Sequence, residues 1–191
     1  MPGRVGAYIV FQTNMGDSAM TEKNRVVVKI AILTVSDSRT EADDTSGDAL
    51  VERLTDAGHQ LVVRSILPDD KYKLRELVSR WIADSDIDVI ISTGGTGITG
   101  RDITPEAVLP LLDKEIDGIG ELFRWVSYQE IGTSTIASRC IGGVANGTFI
   151  FCLPGSTGAC RTGWDKVIGP QIDSETKPCN MVALMPRLME R

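Results

Sequence analysis

The residues best suited to chemistry lie in one glycine-rich segment, ISTGGTGITGRDITPEA, at positions 91–107. Gly95, Gly97 and Gly100 leave the backbone bare, and Asp102 follows them just before a Thr-Pro-Glu helix start. Glycines let backbone N–H groups approach an anion closely, and a helix N-terminus adds positive partial charge. A carboxylate beside such a cradle repels phosphate unless a divalent cation lies between them. The segment indicates Mg²⁺-assisted chemistry at phosphates, with a ligand-free tight turn as the alternative.

Two known phosphate-binding motifs fit this segment only in part. The glycines satisfy GxGxxG, but a dinucleotide site needs them to open a helix directly, whereas this helix starts only at Pro105. Gly95 and Gly100 have P-loop spacing, yet Arg101 and Asp102 stand where Lys and Ser/Thr bind phosphate and Mg²⁺. The sequence therefore disfavours both a nicotinamide or flavin dinucleotide site and a P-loop.

The chain offers little for nucleophilic catalysis. Its single histidine, His59, follows an expected helix end at Gly58, and we expect it to be a solvated turn residue far from any Ser-His-Asp system. The cysteines show no CxxC pair and no zinc spacing, so they indicate reduced thiols in a cytoplasmic protein. They are Cys140, Cys152, Cys160 and Cys179.

Alternating strand and helix patterns must position these residues. Strands are predicted at 26–36, 59–70, 87–95 and 146–155, and helices at 46–58, 71–86, 104–116, 120–131, 133–143 and 158–172. Thr104 is the expected N-cap of the third helix, with Pro105 at its first helical position. The alternation predicts one doubly wound α/β domain, a single mostly parallel sheet with helices on both faces.

Length and composition define the domain limits and the classes of partner. A chain of 191 residues with 42% hydrophobic content suits one domain, which we place at 25–185, between a loose N-terminal extension at 1–24 and a C-terminal tail at 186–191. The net charge of −6 gives no footprint for nucleic acid. No apolar run approaches the ~20 residues of a membrane helix, so we expect no membrane partner.

Four polar clusters follow the predicted strands, at 36–47, 67–70, 94–102 and 153–156. Ligands of doubly wound sheets bind beyond the carboxyl ends of the strands, so these clusters predict a site on one edge of the sheet. Asp69 and Asp70 fall where they could share a cation with Asp102.

The ordered motifs resemble those of the MoaB/MogA family of molybdenum cofactor biosynthesis proteins. They are LTVSDSR with DDTSG, ILPD, STGGTGITGRDITPEA, GIGELFRWVSYQEIGTSTIASR and FCLPGST, and they span residues 28–180 in order. The helical segments look particularly like the MoaB branch. The resemblance implies a parallel-dominated α/β fold that binds molybdopterin, a pterin dithiolene with a terminal phosphate.

The resemblance also implies an activity and its residues. Active members transfer AMP from Mg·ATP to that phosphate, and their functional aspartates match Asp69 and Asp102, the implied catalytic and Mg²⁺-holding pair. The implied residues for phosphate, pterin and nucleotide are Ser36, Asp37, Ser38, Thr45, Ser46, Gly47, Gly94, Gly95, Thr96, Gly97, Arg101, Pro154, Gly155 and Ser156. A non-catalytic molybdopterin-binding or scaffold protein of the same pathway is the alternative.

The family further implies partners. A downstream enzyme receives the adenylylated pterin and inserts molybdate, and members self-associate as trimers or as dimers of trimers. Apolar residues surround more than one side of the segment Gly120 to Arg139, so we expect a homo-oligomer, a hexamer before a trimer. Its interface is expected to include part of Phe123 to Tyr128.

Overall fold

A computed structural model describes residues 25–190, so the predicted extension at 1–24 lies outside the described residues. Six strands form one sheet in the order β2-β1-β3-β6-β5-β4. They are β1 (Lys29–Val35), β2 (Gln60–Leu67), β3 (Val89–Thr93), β4 (Lys114–Glu115), β5 (Ile141–Ala145) and β6 (Thr148–Leu153). β2, β1, β3 and β6 run parallel, whereas β5 pairs antiparallel with β6 and with β4. The predicted single, mostly parallel sheet is confirmed.

Helices follow most strands. They are α1 (Thr45–Asp56), α2 (Lys71–Ile82), α3 (Thr104–Val108), α4 (Asp117–Ile131), α5 (Thr157–Gly163) and α6 (Gly169–Ile172). A π-helical turn, Trp164–Ile168, joins α5 to α6, and 3-10 helices occupy Leu109–Leu111, Gly132–Ala137 and Val182–Arg187. No helix within residues 25–190 has the length and apolarity needed to cross a membrane.

Each face of the sheet has its own hydrophobic core. Along β1, Ile30 and Ile32 join the core beneath α1, α4 and α5, whereas Ala31 and Leu33 join the core beneath α2 and α3. Burial on both faces explains why the strands read as nearly continuous β-branched runs. Leu188, after the last 3-10 helix, packs against the first of these cores. Helices on both faces, as predicted, are therefore confirmed.

Two predicted helices are wrong in part. The helix predicted at 104–116 ends near Pro110, and the chain then extends into β4. The helix predicted at 133–143 is a 3-10 turn followed by β5. Gly142 and Gly143, which the prediction placed in that helix, lie in β5 and permit close packing. A Cβ at Gly142 would lie 2.8 Å from Ile119 Cγ1, and one at Gly143 would lie 2.6 Å from the carbonyl oxygen of Lys114.

The expectation of a solvated His59 is also wrong. His59 is only 8% exposed, and its Nδ1 accepts a hydrogen bond from the backbone N–H of Val28 at 3.3 Å. Gly58, with φ at +79°, turns the chain so that the imidazole packs 6.3 Å from the Trp164 ring. Burial lowers the pKa of His59, which favours the neutral form that accepts this bond.

Candidate functional site

A cavity of about 590 Å³ opens at the carboxyl ends of β1, β3 and β6. This position agrees with the rule for doubly wound sheets, because β1 and β3 are neighbours whose following helices lie on opposite faces. Each of the four polar clusters contributes to it. The predicted residues that line the cavity are Ser36, Asp69, Gly94, Gly95, Thr96, Gly97, Arg101, Asp102, Pro154, Gly155 and Ser156.

The remaining predicted residues support the cavity wall from outside it. Ser46 Oγ donates to the carbonyl oxygen of Gly155 at 2.8 Å, and the hydroxyls of Thr45 and Thr157 are 2.9 Å apart. Gly47 N–H donates to the side chain of Asp44, the N-cap of α1. These contacts attach the first turn of α1 to the loop 154–156, while Ser38 stays beside Ser36 with 3.4 Å between their hydroxyls.

Asp69 and Asp37 are locked together by a reciprocal pair of hydrogen bonds. The N–H of Asp37 donates to Asp69 Oδ2, and the N–H of Asp69 donates to Asp37 Oδ1, both at 3.1 Å. Burial raises the pKa of Asp69, and the negative charges of Asp37 and Asp102 raise it further. The structure thus brings the two predicted catalytic carboxylates close enough to influence each other.

Asp102 is held differently. Its Oδ2 accepts hydrogen bonds from the backbone N–H of Thr99 at 2.8 Å and from the Thr99 hydroxyl at 2.7 Å. Partial burial by itself raises the pKa of Asp102, but these hydrogen bonds lower it overall. The environments therefore push the pKa values of Asp69 and Asp102 apart, a pattern found where two carboxylates serve one site.

The glycine turn between these carboxylates depends on positive φ angles. Gly94 has φ at +101° and Gly95 at +63°, in the left-handed region that favours glycine. A Cβ at Gly95 would lie 2.5 Å from Thr104 Oγ1 and 3.2 Å from Asp69 Oδ1. Bare backbone is therefore required here by both conformation and space.

Thr104 fastens this turn, and its predicted role as N-cap is wrong. The N-cap of α3 is Ile103, without a side-chain hydrogen bond. Thr104 Oγ1 instead donates to the carbonyl oxygen of Gly94 at 2.8 Å, and its N–H donates to that of Gly95 at 2.9 Å. The glycine turn folds back onto the start of α3. The Thr104 hydroxyl therefore donates to a carbonyl oxygen of the turn and does not cap the helix.

Asp69 and Asp102 are the carboxylates available for a cation. Asp70 is not, because it does not line the cavity, and its Oδ1 caps α2 by accepting from the N–H groups of Tyr72 and Lys73. Among residues 25–190, no group of three or more His, Cys, Asp or Glu side chains is arranged to hold a metal ion. Mg²⁺ is commonly held by one or two carboxylates, substrate phosphates and water, so Asp69 and Asp102 fit it. The raised pKa of Asp69 reflects burial first and then repulsion by Asp37 and Asp102, and a bound cation would offset both.

Two arginines line the cavity, and they differ in how they are held. Arg101 forms an ion pair with Asp37. Arg39, absent from the predicted set, contacts the carbonyl oxygen of Gly155 at 3.4 Å and the Thr45 hydroxyl at 3.3 Å. Its guanidinium therefore lies at the loop 154–156. The sequence does not identify Arg39 as a site residue, because a single arginine in a polar loop belongs to no recognisable motif.

A buried thiol underlies the same loop. Cys160 is fully buried, with its sulfur 3.0 Å from Thr93 Oγ1 and 3.7 Å from the carbonyl oxygen of Pro154. Burial raises the pKa of Cys160. All four cysteines are free, as the sequence predicted.

A second wall of the cavity comes from α4 and the 3-10 helix after it. The sequence does not predict this wall, because its residues do not lie in a loop at the end of a strand. Its cavity-lining members are Phe123, Ser127, Glu130, Ile131, Ser134, Thr135, Ala137 and Ser138. Arg139 joins this wall to the glycine turn. Its N–H donates to Thr96 O at 3.0 Å, and its guanidinium donates to Gly97 O at 2.6 Å and to Asp102 O at 3.0 Å.

The fold and the cavity define an α/β domain with its ligand site at the carboxyl edge of a mostly parallel sheet. A family model described as a probable molybdopterin binding domain matches residues 31–174. Molybdenum cofactor biosynthesis protein B of Escherichia coli K12 is 53% identical over 155 residues, covering 81% of this chain and 91% of the relative.

Solved structures agree with this match. A crystal structure of Molybdenum cofactor biosynthesis protein B superposes with a TM-score of 0.75 at 47% identity, covering 77% of this chain and 92% of that one. The structure of the tungsten cofactor synthesizing protein MoaB from Pyrococcus furiosus has a TM-score of 0.69 at 38% identity, covering 76% and 92%. The chain belongs to the MoaB/MogA family of molybdenum cofactor biosynthesis proteins, as the motifs indicated.

Proposed function

We propose that the chain binds molybdopterin in this cavity and transfers AMP from ATP to its terminal phosphate. The observation that carries the proposal is the placement of Asp69 and Asp102 beside the glycine turn 94–97 in one cavity. Relatives named for molybdenum cofactor biosynthesis support the pathway. Carboxylates next to bare backbone suit a cation-assisted reaction of phosphates better than they suit neutral substrates.

AMP transfer requires mainly that the negative charge on the phosphate oxygens be neutralised. An oxygen of the pterin phosphate attacks the α-phosphorus of ATP, the bond from that phosphorus to the bridging oxygen breaks, and pyrophosphate leaves. No protein nucleophile is needed, which suits a cavity remote from His59. When bound at Asp69 and Asp102, Mg²⁺ would neutralise charge on the phosphate oxygens. The N–H groups of the glycine turn, together with Arg39, would hold these oxygens in place.

The test is incubation with molybdopterin, ATP, Mg²⁺ and pyrophosphatase, followed by chromatographic detection of adenylylated molybdopterin. Formation of that product is the expected result. Tight pterin binding without product would contradict AMP transfer and support the non-catalytic binding or scaffold protein of the same pathway. We propose that the adenylylated product passes to an enzyme that inserts molybdate. We also propose that this transfer takes place in the cytoplasm.

We further propose that the chain forms a homo-oligomer through the outer side of α4. Phe123 is buried in the core, but Trp125 and Tyr128 are 65% and 55% exposed, and Leu122 and Ile131 are exposed beside them. Exposed aromatic residues of this kind are enriched at protein interfaces. We expect light scattering to give the mass of a hexamer rather than a trimer. A mass near 20.7 kDa across micromolar concentrations would contradict self-association.

A further inference from the structure

Arg139 bridges the two ends of the loop 97–102, although it does not line the cavity. Its Nε donates to the carbonyl oxygen of Gly97 at 2.6 Å, and its Nη2 donates to that of Asp102 at 3.0 Å. A planar guanidinium can hold two acceptors at a fixed separation, which a lysine ammonium cannot do in the same way. Arg139 therefore fixes the distance between the first and the last residue of this loop.

Glu106, in the Thr-Pro-Glu helix start, orients this guanidinium. Its Oε1 accepts from Nη1 of Arg139, and its Oε2 accepts from Nη2 at 3.3 Å. Two parallel hydrogen bonds between an arginine and a carboxylate fix the plane of the guanidinium. Glu106 does not line the cavity either, and the ion pair leaves no net charge that could bind a phosphate. The pair can therefore act on a ligand only through the loop that it holds.

The closed loop places the carboxylate of Asp102. A Cβ at Gly97 would lie 2.7 Å from Asp102 Oδ2, so this carboxylate lies directly against bare backbone at the other end of the loop. Between the two ends, the N–H and the hydroxyl of Thr99 donate to the same Oδ2 at 2.8 and 2.7 Å. Because these contacts join both ends and the middle of the loop, they depend on its staying closed.

We propose that Arg139 and Glu106 form a positioning pair, which holds the Asp102 carboxylate at the cation site. The proposal rests on the proposed function and adds residues that act from outside the cavity. A carboxylate that binds a cation needs support from the groups behind it, and loss of such support typically weakens metal binding by 10- to 100-fold. Arg139 and Glu106 supply this support through the backbone of the loop.

Substitution of Arg139 by lysine tests the pair. Arg139→Lys keeps the positive charge and removes the planar fork. We expect the Thr99 amide to exchange with deuterium at least ~10-fold faster, because the loop opens more often. We also expect the affinity for Mn²⁺, a paramagnetic substitute for Mg²⁺, to fall by about 10-fold. The full chain is measured by NMR-detected hydrogen exchange and by electron paramagnetic resonance, the latter with saturating α,β-methylene-ATP, which cannot transfer AMP.

Substitution of the partner tests whether the two residues act together. Glu106→Gln keeps one acceptor oxygen for the guanidinium, so Mn²⁺ affinity should fall by only about 3-fold. Since Glu106 acts through Arg139, the double variant should resemble Arg139→Lys rather than combine both losses. Losses that combine fully in the double variant would overturn the pairing.

Two controls separate positioning from general effects on charge and folding. Arg80 forms an exposed ion pair with Glu76 on α2, so Arg80→Lys should keep wild-type Mn²⁺ affinity. Thr148 is buried, and its hydroxyl donates to the carbonyl oxygen of Ile87 at 3.2 Å, away from the cavity. Thr148→Val should lower Tm and leave Mn²⁺ affinity unchanged.

The outcomes distinguish the positioning pair from the AMP-transfer reaction. Wild-type Mn²⁺ affinity in Arg139→Lys would overturn the proposal even if the Thr99 amide exchanged faster, because Arg139 would then hold the loop without serving the cation site. Failure of the wild-type chain to bind Mn²⁺ would overturn it too. If Mn²⁺ affinity depends on Arg139 but no adenylylated product forms, only the AMP-transfer proposal fails. If product forms at the wild-type rate in Arg139→Lys, only the positioning pair fails.

Discussion

The two walls of the cavity differ in how fully their polar groups are paired. On the strand-end side, Asp37 and Asp69 exchange two backbone hydrogen bonds, and Thr104 satisfies the glycine turn. On the α4 side, Thr135 and Ser138 keep unpaired buried hydroxyls. The difference shows that charge and backbone are fixed in advance on the strand-end side, whereas the α4 side keeps unused hydrogen-bonding capacity.

The largest expected effect is on the turnover of AMP transfer, and it distinguishes the strand-end side of the cavity from the α4 side. Asp102→Asn keeps the size of the side chain and removes its charge, so turnover of AMP transfer should fall at least ~100-fold. The affinity for neopterin, a fluorescent pterin without phosphate, should stay within about 3-fold of wild type, because neopterin carries no phosphate charge for Asp102 and its cation to neutralise. Steady-state kinetics and fluorescence titration measure these quantities.

Asp165→Asn provides the control, since Asp165 is a surface carboxylate paired with Arg53 on another part of the molecule. It should retain both turnover and affinity. Near-normal turnover in Asp102→Asn would remove this carboxylate from the mechanism and leave the strand-end wall with a purely structural role.

A smaller effect is expected from the glycine turn. Gly95→Ala places a Cβ 2.5 Å from Thr104 Oγ1 at a φ of +63°. We expect ATP binding to weaken by at least ~10-fold and the free energy of unfolding to fall by about 1–3 kcal/mol. Calorimetric titration and denaturant unfolding give both values.

The same segment supplies a matched glycine. Gly100 has open space around its Cβ position and no positive φ, so Gly100→Ala should be nearly neutral in both assays. Equal behaviour of Gly95→Ala and Gly100→Ala would show that the turn is not the phosphate cradle of the strand-end wall.

The smallest expected effect is a change in Tm that follows from the raised pKa of Asp69. Because the folded-state pKa of Asp69 is raised above its ordinary value of 3.8, the folded protein holds this proton more tightly than the unfolded chain. Stability attributable to Asp69 is therefore lost as pH rises through its folded pKa. Asp69→Asn removes the charge, so its Tm should exceed that of wild type by roughly 2 °C at pH 7 and by less at pH 4.

Asp86 provides a control of opposite sign. Its hydrogen bond and ion pair with Lys29 lower the pKa of Asp86, so its ionised form favours the folded state. Asp86→Asn should lower Tm slightly at pH 7, with the difference shrinking towards acid pH. A Tm of Asp69→Asn below wild type at pH 7 would show that the hydrogen bonds of Asp69 outweigh its repulsion.

The strand-end wall could be predicted from the sequence because position in a parallel sheet determines which loops meet. Asp69, Asp102 and the loop 154–156 each follow a strand of the parallel part of the sheet, so their convergence follows from topology. Asp70 shows the limit, because adjacent carboxylates look alike in sequence and only the structure shows that one of them caps α2.

The α4 wall could not be predicted in this way. Thr135 and Ser138 lie in a segment whose apolar spacing suggested helix, and unpaired hydroxyls leave no mark in a sequence. Gly142 lies within the helix predicted at 133–143, yet it belongs to β5 and permits that strand to pack against Ile119. Such packing depends on which distant atoms come close, and local periodicity contains no information about that.

The burial of Cys160 bears on whether a sulfur-containing ligand could form a disulfide with the protein. Molybdopterin, the proposed ligand, carries two sulfur atoms at the thiolate level, and an oxidant such as O₂ could remove two electrons and join one of them to a neighbouring cysteine sulfur in a mixed disulfide. None of the described residues that line the cavity is a cysteine. The thiol beneath the loop 154–156 is fully buried with a raised pKa, which disfavours the thiolate needed for exchange. The cavity can thus hold an oxidation-sensitive ligand beside a cysteine without the protein itself becoming its redox partner.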